Sequence, residues 1–341
     1  MTFRLLMLVG GALALAACET DDVWTDDGLA TVPVAASFET DPMTGTGDRA
    51  DDPALWVHPS DPSKSLILGT NKDEGLHVYD LSGKETQFID SGQLNNVDVR
   101  GNIAVASNDE FNVISVFAID PDVVTVTRIA DIPTGKEEPY GICMGMIGDE
   151  RLIVPTYKDG SIQLWALSDD ALSASLKGSV QVGAGQLEGC VVDDAAETIF
   201  IGEEEHGIWK LNPADGSEPV IVDTIAAGNG LVADVEGLSL WLGEGGQGYL
   251  VASAQAADRF VVYDRAAPHA PRGVFTVTGS ADGSIDAVSH TDGLDVSSAT
   301  LPGFPRGVLI VQDDASPVPE VDQNFKVVDW QAVEAALGLT E

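Results

Sequence analysis

From Asp51 onward the chain alternates short apolar runs with turn-forming residues. Runs at 66–69, 77–80, 103–106, 113–119, 152–154, 162–165, 199–201, 207–210, 249–252, 260–263 and 308–311 are each strand-length and bounded by Gly, Asp, Asn, Ser or Pro. Helical periodicity is confined to one short pattern near the end, Trp330, Val333 and Leu337, which predicts a single C-terminal helix. The 36 glycines and 17 prolines suit many turns between short strands. An all-β fold is expected.

A loose repeat runs through these strands. A strand ending in a polar or acidic cluster is followed by a second strand of aromatic-Asp or Trp-x-Leu form, as in LHVYDL, ISVFAID, IQLWAL, GIWKLN and FVVYDR. The unit recurs about every 40 to 55 residues, the spacing of a propeller blade, so roughly 290 residues give six blades. A six-bladed β-propeller is expected over residues 49–341, with a pair of sandwiches as the alternative.

Charge changes this picture sharply. Against 55 acidic residues stand 17 basic ones, a formal net charge of −38. A nucleic-acid partner is excluded, because phosphate backbones need a basic surface, and so is electrostatic docking on anionic lipid. Much of the excess reads as a solvated acidic surface. The acids that matter sit at strand ends, one or two per blade: Asp51 and Asp52, Glu188, Glu203 and Glu204, Asp234 and Glu236, Asp286, Asp292 and Asp295, and Asp313. Any one of them could serve a turn or a cap. Equivalent loops of a propeller meet at one channel mouth, however, and converging carboxylates repel unless a hard cation such as Ca²⁺ joins them.

Zinc and copper chemistry lack support, since the five histidines show no paired spacing and Cys143 and Cys190 lie far apart. There is no Gly-x-Ser-x-Gly elbow, no phosphate loop and no HExxH. The cations beside the acidic motifs, Lys72, Arg100 and Lys158, suit a polyanionic substrate. Local pairing of the lysines with Asp73 and Asp159, and of Arg100 with Asp98, is the competing reading.

At the N-terminus, Arg4 precedes a short apolar stretch at 5–17, the pattern of a signal peptide. Leu15-Ala16-Ala17-Cys18 resembles a bacterial lipobox, which makes Cys18 a lipidation site and residues 18–48 an acidic tether. Ordinary signal-peptide cleavage is the alternative. Export to the cell envelope follows, with the lipid as the sole membrane attachment and Glu19 leaning towards the outer membrane. An oxidising compartment permits Cys143 and Cys190 to pair, or to remain two buried thiols.

Together the motifs resemble the β-propeller phytases, the alkaline, calcium-dependent family. The landmarks are DDPALWVHPSDPSKSLILGTNKDEGLHVYD, LNNVDVR, EPYGIC, LEGCVVDD, IGEEEHGIWK, ADVEGL, HTDGLDV, FPRGVLIVQDD and NFKVVDW, in the family's order from Asp51 to Trp330. The resemblance implies a six-bladed propeller that hydrolyses phytate by attack of a calcium-activated water. It puts Asp52, Tyr140, Glu188, Glu204, Asp234, Glu236, Asp286 and Asp292 at metal and active-site positions, with Asp51 nearby and Asp313 as a calcium contact. Lys72 and Lys158 fall on the lysines that hold substrate phosphate. One phosphate would be cleaved while a neighbouring one is held. Three positions depart from the pattern: Asp109 stands where an arginine is common, His290 where an aspartate is usual, and Asp314 replaces a glycine. The expected species is a monomer. Alternatives are a calcium propeller lactonase and a non-catalytic propeller scaffold.

Overall fold

A computed structural model describes residues 28–43, 47–314, 316–317 and 320–339. The apolar stretch at 5–17 and Cys18 lie outside the described residues. The strands form six small sheets, each meandering outward from an inner strand, and one helix closes the chain. This is a six-bladed β-propeller. The inner strands are Ala50–Trp56, Leu94–Arg100, Ile142–Ile147, Leu187–Asp193, Leu238–Leu242 and Leu294–Ser297, for blades 1 to 6.

Burial explains which strands were legible. The second strand of blade 1, Leu66–Asn71, is buried throughout, as befits a strand covered on both faces. The outermost strand, Glu85–Asp90, alternates between half-buried and exposed. The protein has no single core. Six apolar clusters each join two neighbouring blades: Trp56, Leu68 and Val78 meet Val97, Ala106 and Phe117 between blades 1 and 2. Corresponding clusters fill the other five seams, including the one that closes the ring between blades 6 and 1.

Closure uses the N-terminal segment. Phe38–Glu39 pairs antiparallel with Asn324–Asp329 as the outer strand of blade 6, and Val32–Ala35 adds a parallel fifth strand to blade 5. Much of the stretch expected to be a tether is therefore built into the ring from Val32. The helix Trp330–Leu337 starts on an Asp329 cap and stops at Gly338 in the left-handed region. Its Trp330 stacks on Trp241 in the seam between blades 5 and 6.

Cys143 and Cys190 form a disulfide between the inner strands of blades 3 and 4. Their sequence separation is 47, and cross-linking a loop of that size disfavours the unfolded chain by about 4 kcal/mol in the chain-entropy model. Replacing both by Ala is expected to lower the guanidinium unfolding midpoint. An unchanged midpoint would remove the staple from the stability of this seam.

Candidate active site

All six inner strands run in the same sense, so their N-terminal ends share one mouth of the channel. Asp51 lies at that end in blade 1, Asn95 and Asn96 in blade 2, Tyr140 just before the strand in blade 3, Glu188 in blade 4, Glu236 in blade 5 and Asp292 in blade 6. The ends of the second strands supply an outer ring: Lys72, Asp109, Lys158 and Glu204 in blades 1 to 4.

Hydroxyl groups on the second strands fix this arrangement. Thr156 Oγ1 accepts from Gly141 N in its own blade and donates to Glu188 O of the next. Ser253 Oγ does the same between Gly237 N and Asp292 O, and Ser107 Oγ between Asn96 N and Tyr140 O. The residue after each site residue must be small where strands come this close. A Cβ on Gly189 would lie 1.6 Å from Glu236 O, and one on Gly293 would lie 2.1 Å from Asp52 Oδ1.

Glu188, Glu204 and Glu236 are all buried, and each offers an oxygen within 4.8 Å of the other two. Asp51 is fully buried, and neither of its carboxylate oxygens has a hydrogen-bond partner; Glu204 Oε1 and Glu236 Oε2 lack one as well. Orphaned buried oxygens are costly. A hard cation would satisfy them together, so these residues fit one.

The titration behaviour has the same cause. Burial, opposed by Lys72 and reinforced by Asp292 and Asp48, pushes the Asp51 carboxyl up to about 7. Burial, then Asp51 and Asp292, raises Glu188 well above its usual value; burial, then Glu188 and Asp292, raises Glu236. Glu204 is raised by burial too, with Gln186 donating to its Oε2 at 2.6 Å and pulling the other way. The Tyr140 phenol is raised by burial and by Glu188, Glu204 and Glu236, which sets it among these carboxylates. Asp234 is half-buried and adds to the rise at Glu204.

The two lysines differ. Lys72 Nζ is held by Asp48 at 2.7 Å and Asp292 at 2.8 Å, with Asp51 at 4.0 Å. Lys158 is exposed, stands 4.2 Å over the Tyr140 ring, and has no carboxylate within salt-bridge distance among the described residues. The alternative lysine pairings do not form, because Asp73 meets Arg49 and Asp159 meets Lys136.

Other sequence-selected acids go elsewhere. Asp286 and Asp313 lie 2.7 Å from the fully buried ammonium of Lys326, which Glu39 also holds at 2.8 Å. Asp52 Oδ2 accepts from Val97 N at 3.0 Å, binding blade 1 to blade 2 in the channel wall. Asp98 repeats this on Met144 N at 2.7 Å and Asp295 on Leu55 N at 2.8 Å. Arg100 pairs with Asp98 at 2.8 Å, beside a channel cavity of 370 Å³. These channel carboxylates are satisfied by backbone, unlike those at the mouth.

Sequence reasoning overlooked Asp48, Gln186, Gln255, Glu39 and Lys326. Gln255 donates to Asp292 Oδ1. One signal was available: Tyr140-Gly141, Glu188-Gly189, Glu236-Gly237 and Asp292-Gly293 repeat a site residue followed by glycine in four successive blades.

A raised carboxyl keeps its proton in the folded protein after the unfolded chain has lost it, so its stabilisation is present at low pH and lost as pH rises. For Asp51 the window runs from about 4, the ordinary carboxylate range, to about 7, and Glu188, Glu236 and Glu204 shift in the same direction. In chelator, the cluster's contribution should therefore lower the thermal midpoint between pH 5 and 8, and added Ca²⁺ should offset the loss at pH 8. A midpoint that climbs with pH in chelator would contradict this electrostatic reading.

Comparison with known proteins agrees with this architecture. The sequence model of the family described as Phytase matches residues 3–341. The chain is 38% identical over 331 residues to the 3-phytase of Bacillus subtilis (strain 168), covering 89% of this chain and 85% of that protein. Among solved structures, a chain in the crystal structure of the mitotic checkpoint complex superposes with a TM-score of 0.52 at 11% identity, covering 92% of this chain and 82% of that one; this likeness concerns the fold alone. With a propeller whose carboxylates gather at one mouth and a family match across nearly its full length, the chain belongs to the phytase family.

Proposed function

We propose that the chain is an exported, calcium-dependent phosphomonoesterase that removes phosphate from phytate. The observation that carries this reading is the set of unsatisfied, buried carboxylate oxygens of Asp51, Glu204 and Glu236 beside the exposed ammonium of Lys158. Acids alone would repel a polyphosphate, and lysines alone would not activate water.

Glu188, Glu204 and Glu236 would hold the cation, with Asp51, Asp234 and Asp292 contributing charge around them. Bound calcium would neutralise the carboxylates, polarise substrate phosphate oxygens and lower the pKa of a water ligand. Lys158 offers its N–H groups to phosphate oxygens while the Tyr140 ring supports its ammonium from below. Lys72 is held on Asp48 and Asp292, where phosphate oxygens would compete with carboxylates for its protons. Gln186 orients Glu204, and Gln255 orients Asp292. A lactonase would have no use for a lysine poised over the cluster, and a scaffold would have no use for orphaned carboxylates.

Export rests on the apolar leader pattern with its lipobox-like Cys18, and the Cys143–Cys190 disulfide is in keeping with an oxidising compartment.

Phosphate release from phytate, measured with Ca²⁺ in excess and again in chelator, tests the proposal. Release should require calcium; none in excess calcium, or full release in chelator, would refute it. Lys158→Met is expected to raise KM for phytate by about tenfold or more, the loss of one charge-assisted contact to phosphate. Glu204→Gln should lower kcat by at least about 100-fold, in line with losing a preorganised electrostatic group. Steady-state kinetics checks both, and near-wild-type values would take Lys158 or Glu204 out of these roles.

A further inference from the structure

A cleft of about 480 Å³ opens at the C-terminal ends of the inner strands of blades 4 and 5, on the face opposite the carboxylate cluster. It is formed by the turns that follow Asp193, Leu211, Leu242 and Asp264, and none of its residues enters the chemistry above. Its size falls within the ordinary range of small-molecule sites.

The charges lining it are arranged unusually for so acidic a chain. Lys210 Nζ donates to His269 Nε2 at 2.8 Å, and His269 Nδ1 donates to Asp264 O at 3.2 Å. The imidazole is therefore neutral, and burial together with Lys210 lowers its pKa further. Among the described residues no carboxylate lies within salt-bridge distance of Lys210, so two of its three N–H donors remain uncommitted.

Of the other charges, Arg265 and Asp193 cancel each other and Asp215 lies on the exposed rim. Arg265 is spent on Asp193, with two contacts of 2.6 Å. Asp215 accepts from Ser217 N at 2.7 Å on the exposed rim and carries a carboxyl below its usual range. It stays ionised and would oppose a second negative charge. The exposed apolar lining is Ala195, Ala196, Ala266, Ala267 and Val220, the last 54% exposed, while Phe200, edge-on to His269, and Leu211 are buried behind it.

We propose that this cleft binds a small amphipathic monoanion, a carboxylate carried on an aromatic or short aliphatic body. The carboxylate meets Lys210 and the body lies against Val220 and the alanines at 195, 196, 266 and 267. A neutral analogue forfeits the ammonium contact.

Isothermal titration of the calcium-loaded full chain with benzoate, and with benzyl alcohol as the neutral analogue, tests this. Saturable benzoate binding is expected, with benzyl alcohol at least tenfold weaker. Lys210→Met should weaken benzoate at least tenfold and Lys210→Arg should retain it. Val220→Asp, at an exposed position that does not endanger folding, should weaken it too. Lys158→Met should leave benzoate binding unchanged, and Lys210→Met should leave phosphate release from phytate unchanged. The proposal is overturned if benzoate shows no saturable binding, if Lys210→Met and Val220→Asp bind it as the parent does, or if the loss follows Lys158→Met instead.

Discussion

At the channel mouth the inner strands of blades 3 to 6 approach their neighbours so closely at one glycine each that no side chain fits there. Gly189 sits against the Glu236 carbonyl and Gly293 against the Asp52 carboxylate. The six apolar seams hold the blades at that separation, and the Thr156, Ser253 and Ser107 hydroxyls bridge one blade to the next. The carboxylates that precede the glycines are thereby forced together in a buried setting. Their repulsion and their missing partners are imposed by the ring, whose folding energy offsets the cost of the buried acidic cluster.

Two lysines, Lys72 half-buried and Lys326 fully buried, divide acids between them. Lys72 gathers Asp48 and Asp292 at the mouth, while Lys326 gathers Glu39, Asp286 and Asp313 near the closing blade. Glu39 belongs to the strand that completes blade 6, so Lys326 ties ring closure to that second group. A third set, Asp52, Asp98 and Asp295, is consumed by backbone N–H groups along the channel. Carboxylates that look equivalent along the chain thus meet three different environments, and at the mouth Asp51, Glu204 and Glu236 keep oxygens without a hydrogen-bond partner.

The fold was legible because the middle strands of each blade are buried on both faces and read as apolar runs. Leu66–Asn71 and Val308–Asp313 are buried end to end, and both contain apolar runs marked in the sequence. Ring closure was not legible, since Val32–Ala35 and Phe38–Glu39 are only four and two residues long, the first interrupted by Pro33. The glutamates of the mouth were legible from their strand-end positions and from the family's motifs. Asp48 and Lys326 were not: Asp48 acts through Lys72, which also holds Asp292 from 220 residues away, and Lys326 reaches Glu39 at a separation of 287. The resemblance also gives Asp286 and Asp313 as metal-site acids; here both meet the Lys326 ammonium, a partner that spacing along the chain does not reveal.

The electrostatic state of the mouth without a cation, and the change it should undergo with one, follow from the same burial. Anomalous diffraction from crystals grown in calcium would locate the ion directly. A peak among the Glu188, Glu204 and Glu236 carboxylates is the expected result. A map with no peak there, at a calcium concentration that supports phosphate release, would contradict the cation site on which the rest depends.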